Sequence, residues 1–373
     1  MFRLSSLTTL ILDKRFIRSE PQDENKTEYY LRNVVASNEY FIKLKEKMMK
    51  PKIRKLKSFS MNFELMHTLG QVGMKGSKND QFNLPTDVKI SYSHNVILVT
   101  DMFNHRIQVF HAKTKQFMTS IQSPSSKPLF LCVQEKYNGS DFDALLFDCT
   151  GDKCVYKYDL HGLLLHCTNG DSKSRNGHQE YPYIWKSVEF LSPQGIAIFY
   201  SKNQVYVCNK HESICVLDVT TGILKQKIKL GVGLSGIFFT NDEQLLLTEW
   251  IFFNTKHGFS LHSKISKQSS VDQNDDTEQW EKLMEIKQTG IMSGEFSYPS
   301  TIIFDNAAKH ILLSDFGNNR VQCFDLDGNF ISSFGEMGVS AFQLYHPEGM
   351  CLNEETGELM IVDQYNHCVK IFK

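Results

Sequence analysis

Short apolar runs alternate with polar turns along most of the chain, and one such unit occurs three times in closely similar form. The three copies are residues 97–110 (ILVTDMFNHRIQVF), 311–325 (ILLSDFGNNRVQCFD) and 359–372 (LMIVDQYNHCVKIF). Each contains an apolar run, an Asp, a polar turn and a second apolar run. A strand–turn–strand unit that recurs at intervals of tens of residues predicts the blades of a β-propeller.

Three weaker copies, at 144–159, 204–218 and 244–262, bring the number of units to six. The position after the first strand of each unit is occupied, in chain order, by Asp101, Asp148, Cys208, Glu249, Asp315 and Asp363. Successive positions are 47, 60, 41, 66 and 48 residues apart. Four strands with short turns need roughly 40 residues, so the two longest intervals predict loop insertions.

The ends of the repeat predict how the ring closes. Only one strand follows Asp363, so the sixth blade lacks its outer strand. Residues 63–73 (FELMHTLGQVG) resemble the last strand of the fifth unit and precede the first inner strand. Because an unpaired strand edge is costly, we expect Phe63–Leu69 to complete the last blade. The predicted fold is an all-β, six-bladed propeller over residues 61–373.

The turn Asn104-His105-Arg106-Ile107 resembles the NHL repeat, which is named for an Asn-His-Leu signature. The resemblance covers roughly residues 61–373, and three of the six units carry it well. It implies a six-bladed propeller, usually with a binding role. Family members include RNA-binding and protein-binding propellers, substrate modules of ubiquitin ligases, and an amidating lyase with a metal in its channel. The repeat alone does not choose among these functions.

Composition narrows the class of protein. No apolar run approaches the ~20 residues that a membrane-spanning helix needs. The nine cysteines form no C-x-x-C pair, so the zinc ligands of a RING domain are not predicted, and the thiols are expected to be buried and reduced. A cytoplasmic protein is the base case. Residues 1–19 contain Arg, Ser and Leu with a single acid, so import into mitochondria is the alternative.

Residues 1–60 form a basic N-terminal extension. They contain 14 Lys and Arg against 7 Asp and Glu, whereas the rest of the chain contains 27 against 35. A short helix is predicted from Asn38 to Met49, before Pro51. We expect a solvated arm, partly helical or disordered, that rests against the propeller. Contact with nucleic acid or an anionic membrane is the alternative.

The candidate binding face carries the turns between second and third strands together with the blade-to-blade connections. Two insertions, 250–254 and 171–187, are predicted there, and both contain aromatic residues. Aromatic and Arg side chains on loops of a rigid scaffold are typical of binding hot spots. Alternatively, Trp250 and Phe252 pack over the channel mouth or a neighbouring blade. A polar insert, Ser266–Gln279, is predicted on the opposite face as a disordered loop. The candidate binding residues are Arg106, Arg175, Tyr183, Trp185, Trp250, Phe252, Phe253 and Arg320.

A second set of residues is assigned to the structure of the repeated turn. The Asp side chains are expected to accept hydrogen bonds from backbone N–H groups of their own turn. Arg106 and Arg320 either tie the blades together or face solvent, and only the second position makes them ligand contacts. The assigned turn residues are Asp101, Asn104, Asp148, Asp315, Asn318, Asp363 and Asn366.

The leading functional hypothesis is a non-catalytic scaffold that binds a protein or peptide partner, with substrate recognition in ubiquitination as one use. The alternative is an RNA-binding propeller, although the net acidic charge after residue 60 disfavours a phosphate-led interaction. A metal-dependent lyase or lactonase is the weaker hypothesis. Only three side chains, those of Asp87, Gln194 and Glu348, are expected near the channel axis. Three scattered acids or amides are weak evidence for a catalytic or metal site, so no catalytic residue, metal or cofactor is predicted.

Overall fold

The computed structural model describes residues 55–373, except for residues 125, 169–180, 211–212, 251–255 and 266–278. In this part the chain forms six antiparallel sheets of four strands each, which we number as blades 1 to 6. The inner strands contact one another in a closed cycle from blade 1 to blade 6 and back. The predicted six-bladed all-β propeller is confirmed. The predicted N-terminal helix lies outside the described residues.

The strands of blades 1 to 3, from inner to outer, are β2 (Pro85–Ser91), β3 (Val96–Asp101), β4 (Arg106–His111) and β5 (Phe117–Gln122); β6 (Pro128–Gln134), β7 (Ala144–Cys149), β8 (Cys154–Asp159) and β9 (Trp185–Ser187); β10 (Pro193–Phe199), β11 (Gln204–Asn209), β12 (Ser213–Asp218) and β13 (Leu224–Ile228). Those of blades 4 to 6 are β14 (Leu234–Phe239), β15 (Leu245–Glu249), β16 (Gly258–Lys264) and β17 (Trp280–Lys287); β18 (Pro299–Asp305), β19 (His310–Asp315), β20 (Arg320–Phe324) and β21 (Phe330–Phe334); β22 (Pro347–Asn353), β23 (Glu358–Asp363), β24 (Cys368–Phe372) and β1 (Leu65–Gly70).

The ring closes through β1, which is the outer strand of blade 6. It pairs with β24 in antiparallel register, with Leu65 opposite Phe372 and Gly70 opposite Cys368. The segment before β1 also packs against the ring, because Phe59 and Phe63 are buried between blades 5 and 6. The predicted closing strand is therefore confirmed, one to two residues later in the chain than expected.

Six hydrophobic clusters fill the six gaps between neighbouring blades. The second and third strands supply most of each cluster, which explains why strands such as β3 (VILVTD) are buried along their whole length. Buried apolar area is the main driving force for such packing, at about 25 cal/mol per Å². A blade cannot bury both of its faces alone, so each depends on its two neighbours.

Polar contacts join neighbouring blades near the channel. The hydroxyls of Thr100, Thr248 and Ser314 each donate to a carbonyl on the inner strand of the next blade, at 2.8, 2.6 and 2.8 Å. Glycines allow these inner strands to approach: a Cβ at Gly236 would lie 2.3 Å from the Ser300 carbonyl oxygen. Neighbouring inner strands are therefore in close contact around the channel.

Strand direction defines the two faces of the ring. The turns between second and third strands and the connections between blades share one face, which we call the motif face. The connection between β8 and β9, the third and fourth strands of blade 2, leads to the opposite face, and residues 181–184 before Trp185 belong to it. The predicted position of the insertion 171–187 on the motif face was therefore wrong, although residues 171–180 lie outside the described residues. The helix α1 (Leu160–Thr168) follows β8 directly and buries Leu160 and Leu163 against blades 1 and 2. No helix in the described residues is long and apolar enough to cross a bilayer.

The register of blades 2 and 3 differs from the sequence prediction by one residue. Pro128 pairs with Cys149 and Pro193 with Asn209, as Pro85 pairs with Asp101 in blade 1. Cys149 and Asn209 therefore occupy the motif position, rather than Asp148 and Cys208. Asp148 lies within β7, where one carboxylate oxygen accepts the Phe130 N–H at 2.9 Å. Glu249 was placed correctly, because it pairs with Leu234 at the start of β14.

Candidate functional site

The repeated carboxylate organises each intact motif turn. In blade 5, one oxygen of Asp315 accepts the backbone N–H of Ser297 at 2.7 Å. The other oxygen accepts side-chain N–H groups of Asn318, Arg320 and Gln322 at 2.8, 2.8 and 3.0 Å. Asp101 repeats the same four contacts in blade 1. The backbone donor lies 18 residues upstream, so the expectation of a backbone donor within the same turn was wrong.

Blade 6 keeps this arrangement with different donors. Asp363 accepts the Tyr345 N–H at 2.6 Å and the Asn366 amide at 2.8 Å. Cys368 replaces the arginine, and Lys370 supplies the cation at 2.9 Å from Asp363. Burial raises the pKa of both Asp315 and Asp363, although their hydrogen bonds and neighbouring cations act in the opposite direction. Ionising these carboxyls therefore has a net cost in the fold, which their partners offset only in part.

The turn residue that directly follows the motif Asn forms a hydrogen bond with the neighbouring blade. It has a left-handed backbone, with φ near 55° at His105, Asn319 and His367. His105 accepts the backbone N–H of Lys127, Asn319 that of His346, and His367 that of Leu84. Each N–H donor directly precedes the inner strand of the next blade. The three bonds therefore link blade 1 to blade 2, blade 5 to blade 6 and blade 6 to blade 1.

The motif cations hold the connection that passes above their own blade. Arg106 donates to the carbonyls of Lys78 and Gln81 at 2.7 and 3.1 Å. In blade 5, Arg320 donates in the same way to Ile291, Met292 and Glu295. In blade 6, Lys370 reaches Ser340 and Gln343 at 2.7 and 2.5 Å. Both arginines therefore fix the connection between two blades. They do not face solvent, which was the position that would have made them ligand contacts.

Three long connections, 71–84, 288–298 and 335–346, are held in this manner over the adjacent blades 1, 5 and 6, and we call them the loop platform. The corresponding connections into blades 2 to 4 are only about five residues long. Apolar side chains project from the platform into solvent, led by Ile291 at 76% and Phe342 at 66% exposure. Its exposed apolar residues are Val72, Met74, Ile291, Met292, Met337, Val339 and Phe342.

Aromatic side chains lie next to the platform on the same face. Tyr365, in the turn of blade 6, is 42% exposed and contacts the rings of Tyr345 and His346. The His346 ring stacks on Phe316, with 4.3 Å between ring centroids. Blade 1 contributes Phe103, whose ring lies 5.3 Å from the Lys127 ammonium. These rings extend the apolar surface from blade 5 across blade 6 to blade 1.

The other aromatic binding candidates separate into three groups. Trp250 lies on the motif face, half-buried, with the Lys210 ammonium 3.6 Å from its ring and Tyr298 edge-on at 5.4 Å. Trp185 is buried in β9 and donates its indole N–H to the Val219 carbonyl, so it belongs to the core. Tyr183 is exposed next to it on the opposite face. Arg175, Phe252 and Phe253 lie outside the described residues.

The two faces also differ in charge. Among the described residues, the turns of the motif face carry seven lysines and five acids, whereas those of the opposite face carry five lysines and nine acids. The motif-face lysines are Lys75, Lys78, Lys127, Lys153, Lys210, Lys229 and Lys256. The net acidic charge of the propeller is therefore concentrated away from the loop platform.

The channel end on the motif face contains a small polar cluster. Glu348 accepts the Ser300 hydroxyl, and burial raises the pKa of its carboxyl to about 7. Asp87 pairs with Lys89 at 2.6 Å, and burial raises its pKa as well. Desolvation lowers the pKa of Lys210 to about 8. No group of three or more His, Cys, Asp or Glu in the described residues is arranged to hold a metal ion.

Glu348 gives a prediction for the pH dependence of stability. The pKa of its carboxyl is raised above the ordinary value of 4.5, so its contribution is fully present below pH 4.5 and is lost as the pH rises through about 7. Glu348→Gln keeps an oxygen that can accept the Ser300 hydroxyl and removes the titration. We expect the variant to gain stability over wild type as pH rises, up to about 3 kcal/mol.

The measurement is urea unfolding of both proteins at several pH values between 5 and about 8.5, the range in which this carboxyl ionises. Glu64→Gln, which makes the same change at an exposed position, is the matched control. A stability difference between Glu348→Gln and wild type that stays constant with pH would contradict the prediction.

Comparison with known families identifies the repeat. A family model described as the NHL repeat matches residues 344–372, which include the carboxylate, amide and cation of blade 6. This six-bladed β-propeller contains an NHL repeat. The arrangement described above shows what the signature does in this NHL propeller: each of its polar positions holds a neighbouring loop or blade.

One curated protein is similar to part of this chain, and several solved structures share its propeller fold. Protein brain tumor of Drosophila melanogaster is 32% identical over 84 residues, which are 22% of this chain and 8% of that protein. Among solved structures, Kuenenia stuttgartiensis hydrazine synthase has a TM-score of 0.53 at 11% identity, covering 80% of this chain and 96% of that one. A Xanthomonas campestris gluconolactonase has a TM-score of 0.55 at 10% identity, covering 85% and 93%. At these identities the two structures share only the fold.

Sequence reasoning found the motif residues of blades 1, 5 and 6, misplaced those of blades 2 and 3 by one residue, and missed the loop platform. The available signal was a Gly followed closely by apolar residues in each long connection, as in Gly290-Ile291-Met292 and Gly338-Val339. Such residues resemble ordinary strand residues until their exposure is known. Their position above a buried cation is visible only in three dimensions.

Proposed function

We propose that this propeller is a non-catalytic scaffold that binds a protein or peptide partner on the loop platform. The observation that carries the proposal is the row of exposed apolar side chains on loops whose backbone is held by buried cations. Contiguous exposed apolar surface is typical of interaction sites. Loops that are already held in place lose little conformational entropy on binding, which favours affinity.

Charge on the platform indicates the chemistry of the partner. The ion pairs found among the described residues do not include Lys75 or Lys78. The platform acids are engaged within their own loops: Asp80 accepts the Gln71 amide, Glu295 the Met292 N–H and Glu336 the Gln343 amide. The partner that fits best is a segment with apolar anchors flanked by acidic residues, because the apolar groups would pack on the platform and the acids would meet the lysines.

Removing two platform side chains tests this function. We expect Ile291→Ser with Phe342→Ser to weaken partner binding about tenfold or more, since buried apolar anchors at the centre of an interface each contribute over 1 kcal/mol. Ile223→Ser is the matched control, because Ile223 is 66% exposed and lies on the opposite face. The measurement is capture of partners by the immobilised full chain, followed by titration with the purified partner.

The outcomes separate the proposal from its alternatives. A captured protein supports the proposal only if the platform variant loses it, the Ile223→Ser control keeps it, and the purified pair reproduces the difference. Equal recovery by all three proteins contradicts the platform as the binding site. A role in substrate recognition for ubiquitination rests on the family resemblance, and a cytoplasmic location, with mitochondria as the alternative, rests on the sequence.

RNA is the second candidate partner, and the excess of lysine on the motif face favours it. Clustered lysines neutralise phosphates and release counterions, so the affinity for a single-stranded RNA should fall steeply as the salt concentration rises. Lys75→Gln with Lys78→Gln should weaken RNA binding strongly and the binding of the protein partner to a smaller degree, because the apolar anchors of that partner would still pack on the platform. An affinity that does not change with salt would exclude this alternative.

A further inference from the structure

Blade 2 replaces the motif ion pair with two cysteines. In blades 1 and 5, Asp101 lies opposite Arg106 and Asp315 opposite Arg320, on the two strands that flank the turn. In blade 2 the equivalent cross-strand pair is Cys149 and Cys154. Directly opposed residues on antiparallel strands have Cβ atoms about 4.5–5.5 Å apart, and the lower end of this range meets the upper end of the roughly 3.5–4.5 Å found in disulfides, so a small approach of the two strands would allow the bond.

The two thiols interact with each other and with polar neighbours. Both side chains are buried, and the Ser123 hydroxyl lies 3.4 Å from the Cys149 sulfur. A hydrogen bond with Cys149 lowers the pKa of Cys154, and the nearby Lys186 ammonium acts in the same direction. The same hydrogen bond raises the pKa of Cys149. Cys154 is therefore the better nucleophile, because the thiolate is the reactive form.

We propose that Cys149 and Cys154 form a reversible disulfide when the protein meets a peroxide oxidant. The Cys154 thiolate attacks one peroxide oxygen, the O–O bond breaks, and a sulfenic acid forms while the other oxygen leaves as water after taking up a proton. Cys149 then attacks the Cys154 sulfur, the S–O bond breaks, and the sulfenic oxygen leaves as a second water with the Cys149 proton. Two thiols are oxidised to a disulfide and one hydrogen peroxide is reduced to two waters.

The surroundings of the pair are suited to this reaction. The turn between the two cysteines, 150–153, is largely exposed, so local opening of this short hairpin gives an oxidant access. The disulfide would take the position of the ion pair found in blades 1 and 5 and would fix the blade 2 turn at the edge of the motif face. This inference is independent of the proposed function.

The remaining cysteines provide internal controls. No other two cysteines are opposite each other in the described strand pairings; Cys208 faces Ile214 and Cys215 faces Val207. All nine cysteines are free thiols in the structure. The proposal therefore predicts one specific linkage under mild oxidation rather than a mixture.

The chain contains a useful cleavage site for the test, because Lys153 lies between the two cysteines. The full-length native protein is treated with hydrogen peroxide, its remaining thiols are alkylated, and it is digested with trypsin. We expect the loss of two of the nine alkylatable thiols and a linked pair of peptides, one ending at Lys153 and the other starting at Cys154. A thiol reductant should separate the two peptides and restore both thiols.

Variants identify the reacting sulfur. Cys154→Ser should leave Cys149 alkylatable after peroxide treatment, whereas Cys208→Ser with Cys215→Ser should keep the linkage. The mapping of the wild-type protein does not depend on how the variants fold. Three results would overturn the proposal: both thiols stay alkylatable in treated native protein, one of them is oxidised to a sulfinic or sulfonic acid without linkage, or either is linked to a different cysteine.

Discussion

Asp315→Ala is expected to lose about 3–5 kcal/mol of unfolding free energy, which is a large part of the 5–15 kcal/mol that most domains possess. The carboxylate is fully buried and accepts four hydrogen bonds. Its removal leaves the Arg320 guanidinium largely buried and without its carboxylate partner. The loss of a single partner from a buried ion pair is more damaging than replacement of both.

The measurement is urea unfolding followed by circular dichroism, with wild type and variant at the same pH. Asp327→Ala is the matched control, because it removes the same side chain from an exposed turn of the same blade and should change stability by about 0.5 kcal/mol or less. A loss below about 1 kcal/mol for Asp315→Ala would show that the Arg320 cation finds other partners or water at little cost.

Asp315→Ala should also affect the loop platform, because Asp315 orients the arginine that holds residues 291–295. Hydrogen exchange at the backbone amides of 288–298 should become faster than in wild type. The platform over blade 6 is held by Lys370 and should keep its protection. In blades 1, 5 and 6, stability and the position of the loop platform are therefore coupled through the motif carboxylate.

Much of the fold could be predicted from the sequence, because the strongest units repeat both their apolar pattern and their polar turn. The number of blades followed from counting the units, and the closing strand from one missing and one spare strand. The register of blades 2 and 3 could not be predicted, because Cys149 and Asn209 no longer resemble the motif Asp. The motif position was therefore assigned to Asp148 in blade 2, because it is a nearby Asp, and to Cys208 in blade 3, because its spacing to the next strand matches.

The candidate site could be predicted only in part, because its side chains contact residues that are far away in the sequence. Arg106 and Arg320 meet carbonyls 25–29 residues earlier in the chain, so their structural role cannot be read from the turn itself. The insertion before Trp185 was assigned to the wrong face because β9 has only three residues and gives almost no periodic signal. Trp250, which directly follows a clear strand, was placed on the correct face.

The closing segment gives the second large prediction. Phe63→Ala combined with Leu69→Ala should bring the protein close to global unfolding, because each truncation of a buried side chain of this size costs about 2–5 kcal/mol. The Phe63 ring stacks on Phe334 of blade 5 with 4.1 Å between centroids and meets Phe372 of blade 6 edge-on at 6.2 Å. Leu69 is buried in the cluster between blades 6 and 1. The two residues therefore anchor β1 in both gaps that flank blade 6.

The control for this variant lies on the same strand. Met66→Ala with His67→Ala changes two exposed residues of β1 and should leave the unfolding free energy within about 1 kcal/mol of wild type. Thermal unfolding should then separate the two double variants by many degrees, with the closing-segment variant also prone to aggregate, because β24 would present an unpaired edge. If both double variants unfold together with wild type, the ring does not depend on its closing strand, since the remaining contacts of blade 6 would then be sufficient to hold the circle.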